Sequence, residues 1–305
     1  MDPFFTVIIP TFNRAHMINK AINSVINQTF PDWELIIVDD GSTDNTREVI
    51  ESYKEPRIRY VYQTNQERSV ARNNGIRNAV GKYICFLDSD DYYLPQRLEF
   101  LHDEIFKQNS PIAMIYTDIY YEKDEVIEKR DRDEVTKENC PCVFDFVIGV
   151  MIGVPQTCIS VEILKKHYFN PIFHIGEDME LWLRIVNEYP LIYFPDQFTV
   201  IAKEHEDRSV NVIRKNVYRE VLMVFHFIKK NYKYPFSRKT IKFVYTDCYF
   251  GIARYYIYKK NKLMAFYNMF MSLIYDLKNP QFKYRLNILI NIVINFTKAI
   301  KLINN

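Results

Sequence analysis

Glycine is scarce in this chain, at 7 residues among 305. No glycine-rich, basic loop follows the first apolar run, where Thr11-Phe12-Asn13-Arg14 stands instead. That counts against enzymes that cradle a nucleoside triphosphate for attack at its α-phosphate. Tryptophan is rarer still, with 2 residues, although 23 Tyr and 22 Phe load the chain with aromatics. The 5 cysteines (Cys85, Cys140, Cys142, Cys158, Cys248) are odd in number and irregularly spaced. They make neither a disulfide framework nor a paired zinc motif, and a reducing compartment is expected. The opening Met1-Asp2-Pro3-Phe4-Phe5 lacks the basic start, apolar run and small-residue cleavage site of a secretory leader, so cytoplasmic residence is expected. A composition 48% hydrophobic and 26% charged excludes disordered and collagen-like chains.

Charge is present in both signs but is not evenly placed. The formal net charge of +2 conceals a segment, residues 215–305, with 17 Lys and Arg against 3 acidic residues, leaving −12 on residues 1–214 and +14 on the rest. An acidic body with a basic tail points to an anionic partner for the tail, either nucleic acid or an anionic membrane surface. A helical subdomain that merely neutralises the acidic body is the plainer alternative.

Hydrophobic patterning divides the first part into alternating strands and helices. Strands are predicted at 4–9, 33–38, 57–62, 83–87 and 112–116, and helices at 15–28, 43–53, 69–79 and 95–108. This alternation with short connections predicts a parallel, twisted sheet covered by helices, with ligands at the carboxyl ends of its strands. Residues 122–138, rich in charges of both signs, are predicted to form an exposed hairpin or loop. A helix with an acidic first turn is predicted from Gly176 and a strand over 193–201. From about Arg214 the period is helical, broken near Tyr234-Pro235 and Asn279-Pro280. The division expected is 1–213 and 214–305. Within the latter, 282–303 is apolar between basic flanks, with Asn287, Asn291 and Asn295 on one helix face. That stripe suits a helix lying in a membrane interface, its apolar side sunk and Lys283, Arg285, Lys298 and Lys301 near headgroups; packing of the helix on the catalytic domain or on a second subunit is the competing reading.

Four polar or acidic clusters fall where strands end: Pro10-Thr11-Phe12-Asn13-Arg14, Asp39-Asp40-Gly41-Ser42-Thr43-Asp44, Asp88-Ser89-Asp90-Asp91, and Glu177-Asp178. Carboxylates crowded into one crevice repel, so a cation or a hydrogen-bond-donating ligand is the natural compensation. An Asp-x-Asp pair after an apolar strand suits a hard divalent ion that shares oxygens with a diphosphate. Taken singly, each such turn could equally be a helix cap.

Taken together, VIIPTFNR (7–14), VDDGSTDNT (38–46), ARNNGI (71–76), FLDSDD (86–91) and GEDMELWLR (176–184) resemble, in order and spacing, the signature of family 2 of the glycosyltransferases. The resemblance covers roughly residues 4–210. It implies an α/β fold of the GT-A type, a mostly parallel nucleotide-binding sheet, here followed by a basic helical subdomain. It also implies transfer of a sugar from a nucleotide diphosphate donor with inversion, assisted by Mn2+ or Mg2+. Carried over by position, Pro10, Thr11, Asn13, Arg14, Asp39, Asp40, Arg72, Asn73, Asp88 and Ser89 belong to the nucleotide-sugar site. Thr11 and Asp40 are expected at the base and Arg72 and Asn73 along the nucleotide. Asp90, with Asp88 and His205, is expected at the metal, and Asp178, oriented by Glu177, as general base.

The partners expected are therefore a nucleotide diphosphate sugar, with UDP-sugars favoured, and a glycan or lipid-linked glycan acceptor. Peripheral contact with an anionic membrane at its cytoplasmic face is preferred over nucleic acid because 282–303 is apolar. A nucleotidyltransferase and a non-catalytic binding protein on the same fold are the alternatives. The motifs name neither the sugar nor the oligomeric state.

Overall fold

The structure, a computed structural model, describes residues 2–129, 140–205, 217–275 and 283–292. The chain divides into two compact units, one of residues 1–139 with 146–205 and one of 140–145 with 206–305.

The first unit is built on a sheet of nine described strands, β1 (Phe5–Thr11), β2 (Trp33–Asp39), β3 (Ile58–Tyr62), β4 (Tyr83–Phe86), β5 (Tyr92–Tyr93), β6 (Met114–Lys123), β7 (Val126–Lys129), β8 (Thr157–Ser160) and β9 (Leu191–Lys203), ordered β3-β2-β1-β4-β8-β6-β9-β5 with β7 paired to β6. β1 (Phe5–Thr11) and β2 (Trp33–Asp39) are buried along their whole length, as expected for strands packed on both faces. They run parallel in register from Phe5 beside Trp33 to Thr11 beside Asp39, so both end at one edge. β3 (Ile58–Tyr62) and β4 (Tyr83–Phe86) join them in parallel. This is the expected parallel sheet. Beyond β4 it continues through β8 (Thr157–Ser160), β6 (Met114–Lys123), β9 (Leu191–Lys203) and the short β5 (Tyr92–Tyr93). There β6 and β9 are parallel, while β8 runs against both β4 and β6 and β5 against β9. The charged segment begins as expected: β6 turns into a hairpin with the exposed β7 (Val126–Lys129). Its remainder lies outside the described residues.

Helices α1 (Ile18–Ile26), α2 (Thr46–Glu51), α3 (Glu67–Asn78) and α4 (Arg97–Lys107) link the strands. α1 buries Ile18, Ala21, Ile22 and Val25, one face at helical spacing. α3 has hardly any apolar stripe and sits close to the sheet for another reason: a Cβ on Gly75 would stand 2.5 Å from Cγ2 of Ile8 on β1. Only glycine allows that approach, and it draws the preceding turn, with Arg72, down toward the strand ends. α5 (Val143–Val150), the short α6 (Val161–Leu164) and α7 (Glu177–Glu188) follow. α7 is fixed by Leu181, Leu183 and Ile185 in the core and by Trp182, whose indole N–H donates to the Ile152 carbonyl at 3.0 Å.

The second unit holds the helices Val217–Asn231, Arg238–Tyr258 and Lys262–Tyr275, and a further helix over 283–292. The break at Tyr234-Pro235 stands where expected. A further break, at Lys259-Lys260-Asn261, has no proline or glycine to mark it: Lys260 takes φ +57° and the Asn261 carboxamide accepts the Met264 N–H at 3.1 Å, capping the next helix. Ile288 and Leu289 pack against Phe250, Ala253 and Met269 of the neighbouring helices. Asn287 and Asn291 share the exposed side as expected, whereas Asn295, Lys298 and Lys301 lie outside the described residues. Arg285 departs from the expectation that places it near headgroups. It is 4% exposed and donates to the Thr246 carbonyl at 3.3 Å and the Ser272 hydroxyl at 3.0 Å, because those inward groups offer hydrogen bonds that an outward rotamer would forgo. Among the described residues no helix is long and apolar enough to cross a membrane.

Candidate active site

The ends of β1 and β2 are knitted together by their own loops. The Asn13 N–H donates to the Ser42 hydroxyl at 2.9 Å, the Thr43 N–H returns to Asn13 Oδ1 at 2.8 Å, and the Arg14 N–H reaches Thr46 Oγ1 at 3.1 Å. Asn13 holds φ +52°, a left-handed turn that asparagine tolerates well. Gly41, at φ +85°, passes so close to Asn65 that a Cβ would lie 2.8 Å from its backbone nitrogen.

The adjacent Asp39 and Asp40, both buried, serve different ends. Asp39 spends both oxygens inside the protein, accepting the Ser42 N–H and the Tyr60 hydroxyl at 2.8 Å each. It shapes the turn. Asp40 uses only Oδ1, which accepts the Gln63 amide at 2.6 Å and the Gln66 N–H at 2.9 Å. Gln63 is itself held by the Asn74 amide at 2.8 Å. The Thr11 hydroxyl is buried close by without a protein partner, and Pro10 stands opposite Val38 in the strand pairing. A carboxylate with a spare oxygen and an unpartnered hydroxyl make a polar patch suited to hydrogen-bonding a ligand.

Beyond β4 the chain makes a tight turn, with the Asp91 N–H donating to the Asp88 carbonyl at 3.1 Å. Oxygens of Asp88, Asp90 and Asp91 lie within 4.8 Å of one another. Asp90 meets His205 Nε2 at 2.9 Å, and Asp91 accepts the Lys203 N–H at 3.1 Å. Ser89 between them is buried. His205, just past the end of β9, is brought to the cluster as expected, and its Nδ1 is buried without a partner. Three carboxylates and an imidazole form an oxygen-rich donor set that fits Mg2+ or Mn2+. Asp90 and His205 also line a cleft of about 340 Å³ together with His16, Met17, Asn19, Lys20 and Lys203.

Arg72 organises the other side. Its guanidinium, 2% exposed, donates to Asp88 at 2.8 Å and to Glu177 at 2.9 Å. Burial alone would favour the neutral form, yet Asp88 and Glu177 outweigh it and hold the group charged. Arg68, one turn earlier on α3, adds a contact to Glu177 at 3.1 Å. Asn73, expected along the nucleotide, is engaged elsewhere: its amide donates to the Phe169 carbonyl at 2.8 Å and accepts the Phe169 N–H at 2.9 Å. It therefore positions the loop leading to α7.

Asp178 is the second residue of α7, after Glu177 and Gly176, which at φ +80° turns the chain into the helix. One of its oxygens accepts the Met179 N–H at 2.7 Å. Burial, and then the charge of Glu177, push its carboxyl up to about 7. A carboxylate so poised can hold or release a proton near neutrality. Asp91, Arg68 and Gln63 join the site without a role expected from sequence. Asp91 stands in the same aspartate run and Arg68 four residues before Arg72, whereas nothing marks Gln63.

The profile described as Glycosyl transferase family 2 matches residues 6–154. A Campylobacter jejuni protein named GalNAc(5)-diNAcBac-PP-undecaprenol beta-1,3-glucosyltransferase is 30% identical over 231 residues, 72% of this chain and 71% of its own. The chain spans about a third (31%) of the length of the uncharacterised Rickettsia glycosyltransferases that it matches at 34% identity. Among solved structures, S. aureus TarS 1–349 in complex with UDP-GlcNAc is similar over 90% of this chain and 89% of its own, with TM-score 0.58 and 20% identity. The mannosyltransferase PcManGT of Pyrobaculum calidifontis, in complex with GDP-Man and Mn2+, is similar over 90% and 74%, with TM-score 0.59 and 18% identity. With the sheet that ends in Asp40 and Asp88, the helix that opens on Glu177-Asp178 and a relative matched over most of both chains, this chain belongs to family 2 of the glycosyl transferases, on a GT-A fold.

Proposed function

We propose that this chain is an inverting glycosyltransferase that moves a sugar from a nucleotide diphosphate, a UDP-sugar by preference, to a hydroxyl of a lipid-linked glycan. The observation that carries the reading is Arg72, whose one guanidinium joins Asp88 of the carboxylate cluster to Glu177, the neighbour of Asp178. Leaving-group stabilisation and proton removal, the two needs of sugar transfer, are thereby held at a fixed separation.

Thr11 and Asp40 would read the base. The free oxygen of Asp40 suits a ring N–H, which uracil offers and cytosine does not. Asp90, with Asp88, Asp91 and His205, would hold the divalent ion; when bound it would neutralise charge on the departing diphosphate. Asp178 would accept the proton of the acceptor hydroxyl as its oxygen attacks the anomeric carbon opposite the leaving group. Glu177, neutralised by Arg72 and Arg68, would keep that region of α7 in place.

The undecaprenol-linked substrate in the name of the Campylobacter relative, together with the net +14 of residues 215–305, supports a lipid-linked acceptor and a peripheral place at the inner face of the cell membrane. A division of labour between residues 1–213 and 214–305 accompanies this reading. The test is a donor hydrolysis screen of UDP-, GDP- and dTDP-sugars with Mn2+. Release of UDP, abolished by EDTA, is the expected result. Pyrophosphate formation from a nucleoside triphosphate and a sugar phosphate would overturn it in favour of a nucleotidyltransferase.

A further inference from the structure

The helix Lys262–Tyr275 is apolar on both its buried and its exposed side. The side it buries carries Ala265, Asn268, Met269, Ser272 and Leu273. Asn268 and Ser272, its small polar residues, therefore point inward. Asn268 donates to the Met264 carbonyl at 2.7 Å, and Ser272 donates to the Thr246 carbonyl at 3.0 Å while accepting from Arg285. Its large apolar side chains point outward: Leu263 is 66% exposed, Tyr267 51%, Ile274 51%, Phe270 47% and Phe266 37%. The spacing 263, 266, 267, 270, 274 is that of one continuous helix face. A surface helix of a soluble protein keeps charged and polar residues on its outer side, and a contiguous apolar stripe there marks a surface meant to be covered.

We infer that this face seats in an anionic lipid bilayer, an inference that rests on the membrane-associated reading above and assigns the residues that make the contact. Charge decides the occupant. No acidic residue stands between Asp247, on the preceding helix, and the end of Lys262–Tyr275, whereas Lys259, Lys260 and Lys262 stand at the stripe's amino end. A second copy would bring an equally basic segment against this one; anionic headgroups complement it. Length decides the pose, since 14 residues rise only about 21 Å, too short for a hydrocarbon core of about 30 Å. The helix lies along the surface, with Phe266, Phe270 and Ile274 among acyl chains and the lysines at the headgroups. The 283–292 helix spends Ile288 and Leu289 on packing and leaves only Tyr284 and Ile290 as large exposed apolar side chains among its described residues, so the longer stripe on Lys262–Tyr275 makes the main contact.

The experiment is cosedimentation of the full chain with vesicles of phosphatidylcholine and phosphatidylglycerol (about 7:3), with UDP binding and thermal unfolding measured in parallel. The expected result is binding that falls on the order of tenfold or more in the variant Phe266→Ser/Phe270→Ser/Ile274→Ser, with UDP binding unchanged. A second variant, Tyr267→Trp, should show a blue-shifted emission on adding vesicles, because Trp33 and Trp182 are buried and give a constant background. Equal binding by the wild type and the triple variant, without an emission shift, overturns the face while leaving a membrane-associated enzyme standing. Vesicle binding by neither overturns both. A dimer that the triple variant dissociates, in a chain that ignores vesicles, would show that a second copy covers the stripe and likewise overturns the inference.

Discussion

Arg72 and Glu177 meet at 2.9 Å with both side chains almost sealed from solvent, and the same guanidinium reaches Asp88 at 2.8 Å. Removing it leaves Glu177 with Arg68 alone and takes the guanidinium from Asp88, which is a third exposed. Arg72→Met should destabilise the first unit by about 1–3 kcal/mol, less than the usual cost of breaking a fully buried pair, because Glu177 keeps Arg68 and Asp88 stays partly hydrated. Arg72→Lys should recover only part of it, since a single ammonium does not match a fork that spans two carboxylates. Thermal unfolding checks both, and a loss under about 1 kcal/mol for the methionine variant would show that Asp88 and Glu177 are not coupled through Arg72.

For Asp178, rate and stability should move oppositely with pH. As a base it works ionised, so turnover should rise through about pH 7. For stability the sign is reversed from the usual carboxylate. The folded carboxyl holds its proton up to about 7 while the unfolded one releases it near 3.8, so stability is lost as pH rises between those values and stays lower above them. Asp178→Asn should therefore cut turnover by at least about 100-fold, keep donor affinity, and unfold at a higher temperature than the wild type at about pH 8. A collapse of donor affinity in the variant would place Asp178 at the metal instead.

Asp90→Ala should abolish transfer and remove the Mn2+-dependent part of UDP binding, measured by calorimetry with and without EDTA. Asp91→Ala should weaken the same response and also loosen β9, because Asp91 caps the Lys203 N–H. Metal-independent activity in the Asp90 variant would remove Asp90 from the metal role.

The close approach of α3 to β1 gives a prediction about the fold. Gly75→Ala places a methyl 2.5 Å from Ile8 Cγ2 and should cost about 1–3 kcal/mol. Ile8→Ala should cost less in the Gly75→Ala background than in the wild type; strictly additive losses in the double variant would show that the two positions do not touch.

The parallel half of the sheet is legible in the sequence because β1, β2 and β4 are buried on both faces and so read as short, mainly apolar runs, interrupted only by Thr6 and Glu34, which bond each other. The acidic turns after β2 and β4 and the polar turn after β1 fall where the strands stop, and the site clusters with them. The antiparallel continuation is not legible: β8 is four residues long, and its pairing with β4 and β6 joins segments distant in sequence. Asn73 shows the limit of position-by-position transfer, since a motif does not say whether an amide faces a ligand or the Phe169 backbone. His205 shows the opposite. In sequence it is a histidine among acids, and only the return of β9 past β5 brings it to Asp90. The basic tail is helical in its period and, among its described residues, in the structure, but the helix expected to sink into lipid keeps Arg285 inside, a choice set by partners on two other helices.

The outward apolar face of Lys262–Tyr275 has a calorimetric consequence. Heat capacity changes on unfolding in proportion to apolar surface newly shown to water. Side chains such as Leu263 and Phe270 are already substantially wet in the folded chain and add little to that change. The second unit should therefore have a flatter stability curve than its aromatic content suggests, and any event that dries this face should register as a negative heat-capacity change of association.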